Sequence, residues 1–575
     1  ANAVTLNGNL TVNTGTSPAT LAMSGVIGGA GGITKTGTGT LTLSGASTYA
    51  GPTTVSAGTL NVTGSLASAV TVNSGATITG TGSMGALTVS AGASISPGAP
   101  GTNDVGTLTV NGPASLLGTY TVNVIGATSD RVVATGALTV GGTLAVGTVT
   151  GSPIFNQTYT IASGASRTGT FNPVNGLSLF GPALNATVEY TATAVNIRLA
   201  PGSLVASANA IGGATGNALE VARAFDRAVA NGYNPQAFAA VYTSGAALPR
   251  TLLQMSGEQR ATERRVVLET SRVFRETALD RLNLGLASMA GQQVAAGDAD
   301  TGAVTFWLRG AGSWGTADTS GAATGFTTEQ RGLLTGIDWA KDGITVGAMF
   351  HYTSTDIDYR VLGGSSNVET TGGTFYAGYR KPDRGLVANA GVSVAGARST
   401  GARAITLPGF TQSLQGRTTG TTYQVFGELA YDLAGSSKAR IEPFARLTYV
   451  QADMNALTET NGVAALSAAK QSLDLAVTNL GLRVGTGLGE KVSVNASAAW
   501  QRTSGAREAT TIIGIPAVGQ NGAIQSVALD PDAALLQADI GFNLSDSARI
   551  NVGYSGLIGK NNSDHAGRAT LSFSF

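Results

Sequence analysis

Residues 301–575 alternate apolar and polar side chains in about twelve runs, each close to the roughly nine to eleven residues that a tilted strand needs to cross a bilayer. In GITVGAMFHY, Ile344, Val346, Ala348, Phe350 and Tyr352 share one face, and Thr345, Gly347, Met349 and His351 the other. In LLQADIGFN, Leu536, Ala538, Ile540 and Phe542 oppose Gln537, Asp539, Gly541 and Asn543; in RINVGYS, Ile550, Val552 and Tyr554 oppose Asn551, Gly553 and Ser555. The chain closes on ATLSFSF, with Leu571, Phe573 and Phe575 in phase. A soluble antiparallel sandwich alternates in the same way, so the period alone does not decide. Three features favour the membrane. The apolar face is nearly free of charge, whereas Arg309, Asp338, Arg380, Glu428, Arg446, Arg483 and Asp539 fall on the other face. Trp339, Tyr352, Tyr379, Tyr431, Tyr449, Trp500 and Tyr554 are expected near strand ends, as an interfacial girdle requires. The strand number is even. In lipid every backbone polar group needs a partner within the protein, so such strands must close into a barrel.

The first 200 residues obey a different rule. They hold only seven charged side chains: Lys35, Asp104, Asp130, Arg131, Arg167, Glu189 and Arg198. Short runs such as TLTLSG, TLNVTG, TVNSGATITG and TLTVNG alternate Thr or Ser with Leu, Val or Ile between glycine-rich turns. Corresponding positions recur at roughly 17 to 21 residues, the spacing of a solenoid. A flexible Gly/Ser linker would not keep Leu and Val in phase over so many segments. Each coil buries its apolar face only against its neighbours, so stacking is the physical solution. Residues 151–200 carry a denser apolar set (Tyr159, Ile161, Phe171, Leu177, Phe180, Leu184, Tyr190, Val195 and Ile197), which reads as a cap on the open end of the stack.

Between these zones, residues 204–290 are helical in pattern, with Gly232 and Pro235 as an interruption. In SGEQRATERRVVLETSRVFRETALDRL, six arginines (260, 264, 265, 272, 275 and 281) interleave with Glu258, Glu263, Glu269, Glu276 and Asp280. Charge on every face means either a solvent-exposed helix laced with ion pairs or a helix in a polar tube. A barrel downstream favours the tube.

Composition excludes much chemistry. Cysteine is absent, which removes disulfides, thiolate metal sites and cysteine nucleophiles. A net charge of +1 gives no global field toward nucleic acid. No run of about 18 apolar residues suggests a membrane-spanning helix. Residues 80–85, GTGSMG, match a dinucleotide fingerprint literally, but a strand-like ALTVS follows instead of a helix. There is no GxSxG, P-loop or HExxH, and the only histidines are His351, on a lumen face, and His565, expected in the last turn. Catalytic, cofactor and metal residues are therefore assigned as none, and the protein is expected not to be an enzyme. No charged-then-apolar leader opens the chain, so a signal peptide and further exported sequence are expected before Ala1.

This order of parts resembles the autotransporters of type V secretion. Residues 31–62, GGITKTGTGTLTLSGASTYAGPTTVSAGTLNV, resemble the passenger-associated β-strand repeat of that family. YTIASGASRTGTF and VEYTATAVNIRL, within 156–199, are similar to its autochaperone cap. SGEQRAT, WLRGAGSWG and the terminal Phe575 look like translocator features. The resemblance implies a mainly β protein: a right-handed parallel β-solenoid passenger (1–150), an autochaperone-like cap (151–203), a helical linker and pore helix (204–300) and a 12-stranded transmembrane antiparallel β-barrel (301–575). It also implies a helix near 255–285 in the pore, with Leu571, Phe573 and Phe575 as a signal to the barrel-assembly machinery. Family members that cut themselves in the pore helix commonly do so between paired asparagines. Here Asn283 stands alone in RLNLGL, so an uncleaved chain is expected.

The residues expected to act are mechanical. Arg309, Arg446 and Arg483 face the lumen and are candidates to pair with Glu263, Glu269 or Glu276 of the helix. The expected function is export and surface anchoring of the solenoid, which then serves adhesion or aggregation. Two alternatives stand: an enzymatic passenger (a protease or esterase) encoded upstream, or a porin-like channel. Expected partners are outer-membrane lipid, the barrel-assembly machinery, periplasmic chaperones and a ligand on a host or neighbouring cell. No cofactor and no nucleic acid are expected.

Overall fold

The computed structural model describes residues 2–284, 302–381, 385–434, 439–489 and 491–575. Expectations for residues 285–301, including the end of RLNLGL, lie outside the described residues. The chain forms two compact units, Ala1–Ser207 with Gly232–Ala246, and Ala208–Asn231 with Ala247–Phe575.

In the first unit, short strands pair in parallel into three long sheets, one strand from each coil in each sheet. The register shows what holds the stack. One inward column runs Leu41, Leu60, Ile78, Ile95, Tyr120, Leu144, all fully buried. A second runs Val12, Lys35, Val55, Val72, Val89, Leu116, Val140. Outward, one residue away, hydroxyls align as Thr11, Thr34, Thr54, Thr71, Thr88, Ser115, Thr139 and Thr168. Period two thus puts the aliphatic side chains inside and the hydroxyls in water. The coils are less even than the sequence spacing suggests. Thr53 to Val70 is one coil of 17 residues, and Leu138 to Arg167 one of 29. The longer coils accommodate insertions such as 98–106 without breaking either column.

The parallel stack ends at Thr158–Ser163, which pairs antiparallel with Ala194–Pro201, itself antiparallel to Leu184–Tyr190. A reversed pair covers the edge that another coil would otherwise occupy. Phe155, Phe171 and Phe180 are buried in this region.

The second unit contains a closed antiparallel barrel of twelve strands. They are β1 (Ala303–Ala317), β2 (Phe326–Lys341), β3 (Ile344–Tyr359), β4 (Ser365–Arg380), β5 (Gly385–Leu407) and β6 (Phe410–Asp432). The rest are β7 (Ala439–Met454), β8 (Gln471–Leu488), β9 (Val492–Gly505), β10 (Asp532–Asn543), β11 (Ala548–Gly559) and β12 (Asn562–Ser574). Closure pairs β1 with β12, from Thr305 opposite Ser574 to Ala317 opposite Asn562. Outward residues include Phe350, Phe375, Leu429, Leu447 and Leu480, all exposed, whereas the opposite phase is buried.

The aromatic residues do not all stand at strand ends. Trp339, Tyr379 and Tyr431 lie in the last residues of β2, β4 and β6, but Tyr352, Tyr449, Trp500 and Tyr554 lie in mid-strand or later. All seven face outward. Tyr423 and Tyr431 of β6 sit eight residues apart, about 20 Å once a strand tilt near 40° is allowed for. Two girdles are therefore present, and the strands run on beyond the upper one. Every connection at the Trp339 end is six residues or shorter, which marks it as periplasmic, and the two long ones, 455–470 and 506–531, lie at the other end. Within them, Ser467–Ala468, Thr510–Ile515 and Gln520–Gln525 join Leu457–Thr458 in a four-stranded sheet.

Among the described residues three α-helices lie wholly within this unit, and a fourth, Leu204–Ile211, begins in the first unit and ends in this one. Helix α1 (Gly216–Ala230) starts at Thr215, whose hydroxyl accepts the Ala218 N–H, and buries Ala218, Val221, Ala222, Phe225 and Ala228 on one stripe. Helix α2 (Leu248–Met255) has proline in its first turn. Helix α3 (Glu258–Leu284) has 27 residues, about 40 Å of rise, and lies inside the barrel. Among the described residues no helix is long and apolar enough to cross a membrane, which says nothing of strands.

Candidate functional site

The barrel lumen is the candidate site, because a helix this polar is buried only where a wall meets its charges. Glu258, Arg260, Glu263, Arg264 and Arg265 are each at most 2% exposed. An unpaired charge there would cost several kcal/mol, so pairing is obligatory.

At the long-loop end, Glu258 accepts the Thr324 N–H (2.7 Å) and hydroxyl (2.6 Å) and the Asn217 amide of α1 (2.7 Å). Arg260 donates to Glu459 (2.9 Å) and to the Gly401 carbonyl (3.0 Å), and pairs with Glu263. Glu459 also holds Arg403 (2.6 Å). The wall is shaped to this guanidinium. A Cβ on Gly401 would stand 2.7 Å from Arg260 Nη1, and one on Gly416 2.9 Å from its Cζ. Only glycine leaves that slot open.

Still near the long loops, Arg264 donates to the Ala469 carbonyl (3.0 Å) and Arg265 pairs with Glu269 (3.0 Å), and half-way down Arg272 pairs with Asp564 of β12. On one side of the helix an apolar seam forms from Phe274, Ala278, Leu279 and Leu282 against Trp307, Leu334, Met349, Tyr376, Ala395 and Phe426. On the other, near Arg272 and Asp564, a cavity of about 110 Å³ remains, room for several waters.

At the periplasmic end, carboxylates act as hubs. Glu428 accepts from Arg446 (2.9 Å), Arg483 (3.0 Å) and the Asn283 amide (3.1 Å). Glu442 accepts from Arg483 (3.0 Å) and is paired with Arg380. Asp338 holds Arg281 and accepts from Tyr376 and the Trp307 indole. Arg568 bridges Asp280 (3.2 Å) and Asp539 (2.7 Å).

The structure places the sequence-selected residues as follows. Arg446 meets Glu276 at 2.9 Å. Arg309 instead meets Asp280 (2.9 Å), and Arg483 meets the wall residues Glu428 and Glu442. Glu263 accepts from Ser366 (2.6 Å) and Ser399 (2.8 Å) besides pairing with Arg260, and Glu269 stays with Arg265. Leu571, Phe573 and Phe575 follow the outward phase of β12, and Phe575 exchanges backbone bonds with Val304 at 2.9 and 3.3 Å. Reading the sequence missed Glu442, Arg403 and Glu459 as wall residues of the network, and Arg260 as the helix residue that meets Glu459. Glu442 was findable, since Arg440, Glu442, Phe444 and Arg446 share one phase; Glu459 lies in a loop and carries no such signal.

His351 is buried in the lumen, stacked on Phe274 with ring centroids 3.6 Å apart. His565 is not in a turn but in β12, its Nδ1 2.6 Å from the Tyr554 hydroxyl and its ring stacked on outward-facing Trp314. The turn was misplaced because β11 and β12 are joined by only two residues, 560 and 561, and β12 begins at Asn562.

A closed twelve-stranded membrane barrel holding a helix of its own chain defines an outer-membrane translocator. The autotransporter beta-domain family matches residues 306–555, and the passenger-associated-transport-repeat family matches residues 33–62. The chain thus carries an autotransporter translocator barrel and a passenger-associated repeat, with the barrel in the Gram-negative outer membrane and the passenger region at the cell surface. Two curated relatives from Serratia marcescens, both named extracellular serine protease, are 27% identical over 606 and 607 aligned residues. Each alignment covers 96% of this chain and 56% of the relative, so the chain spans about half the length of the curated relatives it matches. Among solved structures, the translocator domain of autotransporter NalP from Neisseria meningitidis is 14% identical, with 54% of this chain and 98% of that one covered and a TM-score of 0.42. The transport unit of the autotransporter AIDA-I from Escherichia coli is also 14% identical, with 51% and 96% covered and a TM-score of 0.34.

These relatives overturn the expectation that the protein is not an enzyme. That expectation rested on the absence of a legible nucleophile and base, and such a constellation is local to its own domain. The only two histidines here lie one in the lumen and one on the lipid face.

Proposed function

We propose that this chain is the translocator, cap and solenoid stem of a secreted serine protease. The barrel inserts into the outer membrane, the passenger passes through it, and α3 then seals the lumen. The observation that carries this reading is the direction of α3. Its first turn is held at the long-loop end by Thr324 and its last by Asn389 and Glu428 toward the short-turn end, so the chain preceding Glu258 stands at the outer mouth. In this reading Arg446 with Glu276, Arg309 with Asp280, and Glu263 with Ser366 and Ser399 hold the plug, while Arg483 fixes the wall carboxylates and Glu269 steadies Arg265 within the helix, which argues against an open porin-like channel. Leu571, Phe573 and Phe575 present the assembly signal, and the barrel-assembly machinery and periplasmic chaperones are the partners in transit. The divisions 1–150, 151–203, 204–300 and 301–575 serve as stem, cap, linker with plug, and barrel. The protease name of the relatives supports an enzymatic passenger, with its catalytic residues in the part of the relatives' length beyond the aligned stretch.

The test is proteolysis of intact cells expressing the whole gene product, together with labelling by a serine-directed fluorophosphonate. Protection of a barrel fragment, accessibility of residues 1–200 and labelling of the surface passenger are expected. A soluble chain, or a passenger reached only after the outer membrane is opened, overturns the export reading. Absence of labelling overturns the protease reading alone. A second reading, adhesion or aggregation through the stem, is favoured by the eight-membered hydroxyl column from Thr11 to Thr168, and loss of cell clumping on replacing that column with alanines would test it.

A further inference from the structure

The chain passes between its two compact units three times, after Ser207, after Asn231 and after Ala246. Residues 232–246 belong by their packing to the solenoid-and-cap unit, yet both flanks belong to the barrel-bearing unit. Their hold on the cap is specific. The Gln236 side chain accepts the Phe155 N–H at 2.8 Å and donates to the Pro153 carbonyl at 3.0 Å, the pair of bonds a neighbouring strand would make. The Tyr242 ring meets Phe155 edge-on, with centroids 5.0 Å apart and planes at 73°. The backbone at Tyr242 and Thr243 lies over Gly181, where a Cβ would stand 3.0 Å from the Tyr242 carbonyl oxygen. Gly181 has φ +133°, so no larger residue fits there without strain. Phe238, Val241 and Tyr242 are fully buried.

The direct peptide link is the opposite in character. Residues 209–213 are exposed, and Gly212 and Gly213 have φ of +83° and +75° with nothing within 4 Å of where a Cβ would be. Residues 209–211 are the fraying end of the short helix Leu204–Ile211, Gly212 and Gly213 lie between it and α1, and an exposed, glycine-paired stretch of this kind is where proteases cut most readily.

We propose that residues 232–246 are a strap: a segment of the barrel-bearing fragment docked on the cap surface of Pro153, Phe155 and Gly181, which retains the solenoid after the chain is cut at 209–213. The backbone cut and the release of the solenoid are then separate events. The strap does not depend on which activity the passenger carries.

The test inserts a site-specific protease sequence between Gly212 and Gly213 of the full chain. Isolated outer membranes are cut to completion, as judged on a denaturing gel, and sedimented. Most of the fragment ending at Gly212 is expected to sediment with the membranes. With Gln236→Ala and Tyr242→Ala together, at least tenfold more of it should appear in the supernatant, with the trypsin resistance of the unmutated fragment. Quantitative release from the unmutated chain overturns the proposal, as does equal retention by the double variant. Should the double variant's fragment prove trypsin-sensitive, Gln236→Ala alone decides, because it removes two hydrogen bonds without opening a core. A several-fold rise in release supports the strap, and release at the unmutated level sinks it.

Discussion

The solenoid and the barrel use the same period-two text with opposite sign. In the solenoid, Leu41, Leu60, Ile78 and Ile95 point inward and Thr34, Thr54 and Thr71 outward. In the barrel, Leu429, Leu447 and Leu480 point outward, while Glu428, Arg446 and Arg483 fill the inside. The backbone is equally content with either, since its hydrogen bonds are made between strands in both. What differs is the solvent outside, water for one and lipid for the other, and the occupant inside. Stacked aliphatics fill the solenoid, whereas a charged helix that must be matched charge by charge fills the barrel.

This contrast can be broken from either side. The largest effect is expected from Glu428→Ala, which leaves Arg446 with only Glu276 and Arg483 with only Glu442, strips Asn283 of its acceptor, and should destabilise the barrel by about 3–5 kcal/mol. A lowered urea midpoint in lipid vesicles would register it; an unchanged midpoint would mean that the hub is solvated. Next, Leu480→Arg puts a charge on the lipid face, which should cost about 2–4 kcal/mol near the bilayer midplane. The same assay with a detergent-to-lipid comparison separates this from a packing loss.

In the solenoid the exception is Lys35, fully buried in the valine column. Its Nζ donates to the Thr14 hydroxyl (3.0 Å) and the Gly37 and Ala57 carbonyls (2.8 Å each), so it ties three successive coils together. Lys35→Ala leaves buried acceptors without donors and should cost about 1–3 kcal/mol in thermal unfolding of the first unit. If Lys35→Ala were neutral, the column would be tolerating the ammonium, not using it.

The smallest effect concerns pH. Asp130 accepts the N–H groups of Gly106 (2.7 Å) and Asn123 (2.8 Å), but burial outweighs these bonds and pushes its carboxyl up to about 7. A raised folded value means that the ionised form is disfavoured in the native state. The unit should therefore gain about 1 kcal/mol between pH 8 and pH 6, and lose it again as pH rises through 7. Asp130→Asn should flatten that slope; an identical slope in the variant would assign the titration elsewhere.

Much of this was legible. The twelve outward faces could be read because lipid tolerates so little charge, and the buried stripe of α1 because helical period marks it. Even Lys35 and Asp130 were readable as inward, since each shares phase with an aliphatic neighbour, Ile33 and Val132. The pairing inside the lumen was not. Whether Arg309 reaches Glu276 or Asp280 depends on the rotation of α3 against twelve strands, and no local pattern in the sequence encodes that angle. The aromatic girdle was misplaced for a related reason: alternation continues unchanged where a strand leaves the lipid, so it does not say where the membrane stops.

That overrun has a consequence for recognition from outside. β5 and β6 are 23 residues each, and in β6 Phe410 stands thirteen positions before the girdle residue Tyr423. At strand rise and tilt this lifts their hairpin roughly 30 Å clear of the headgroup level. Its tip, around Pro408 and Gly409, is thus a standing landmark for antibodies or phage, present on the cell whether or not the passenger is still attached.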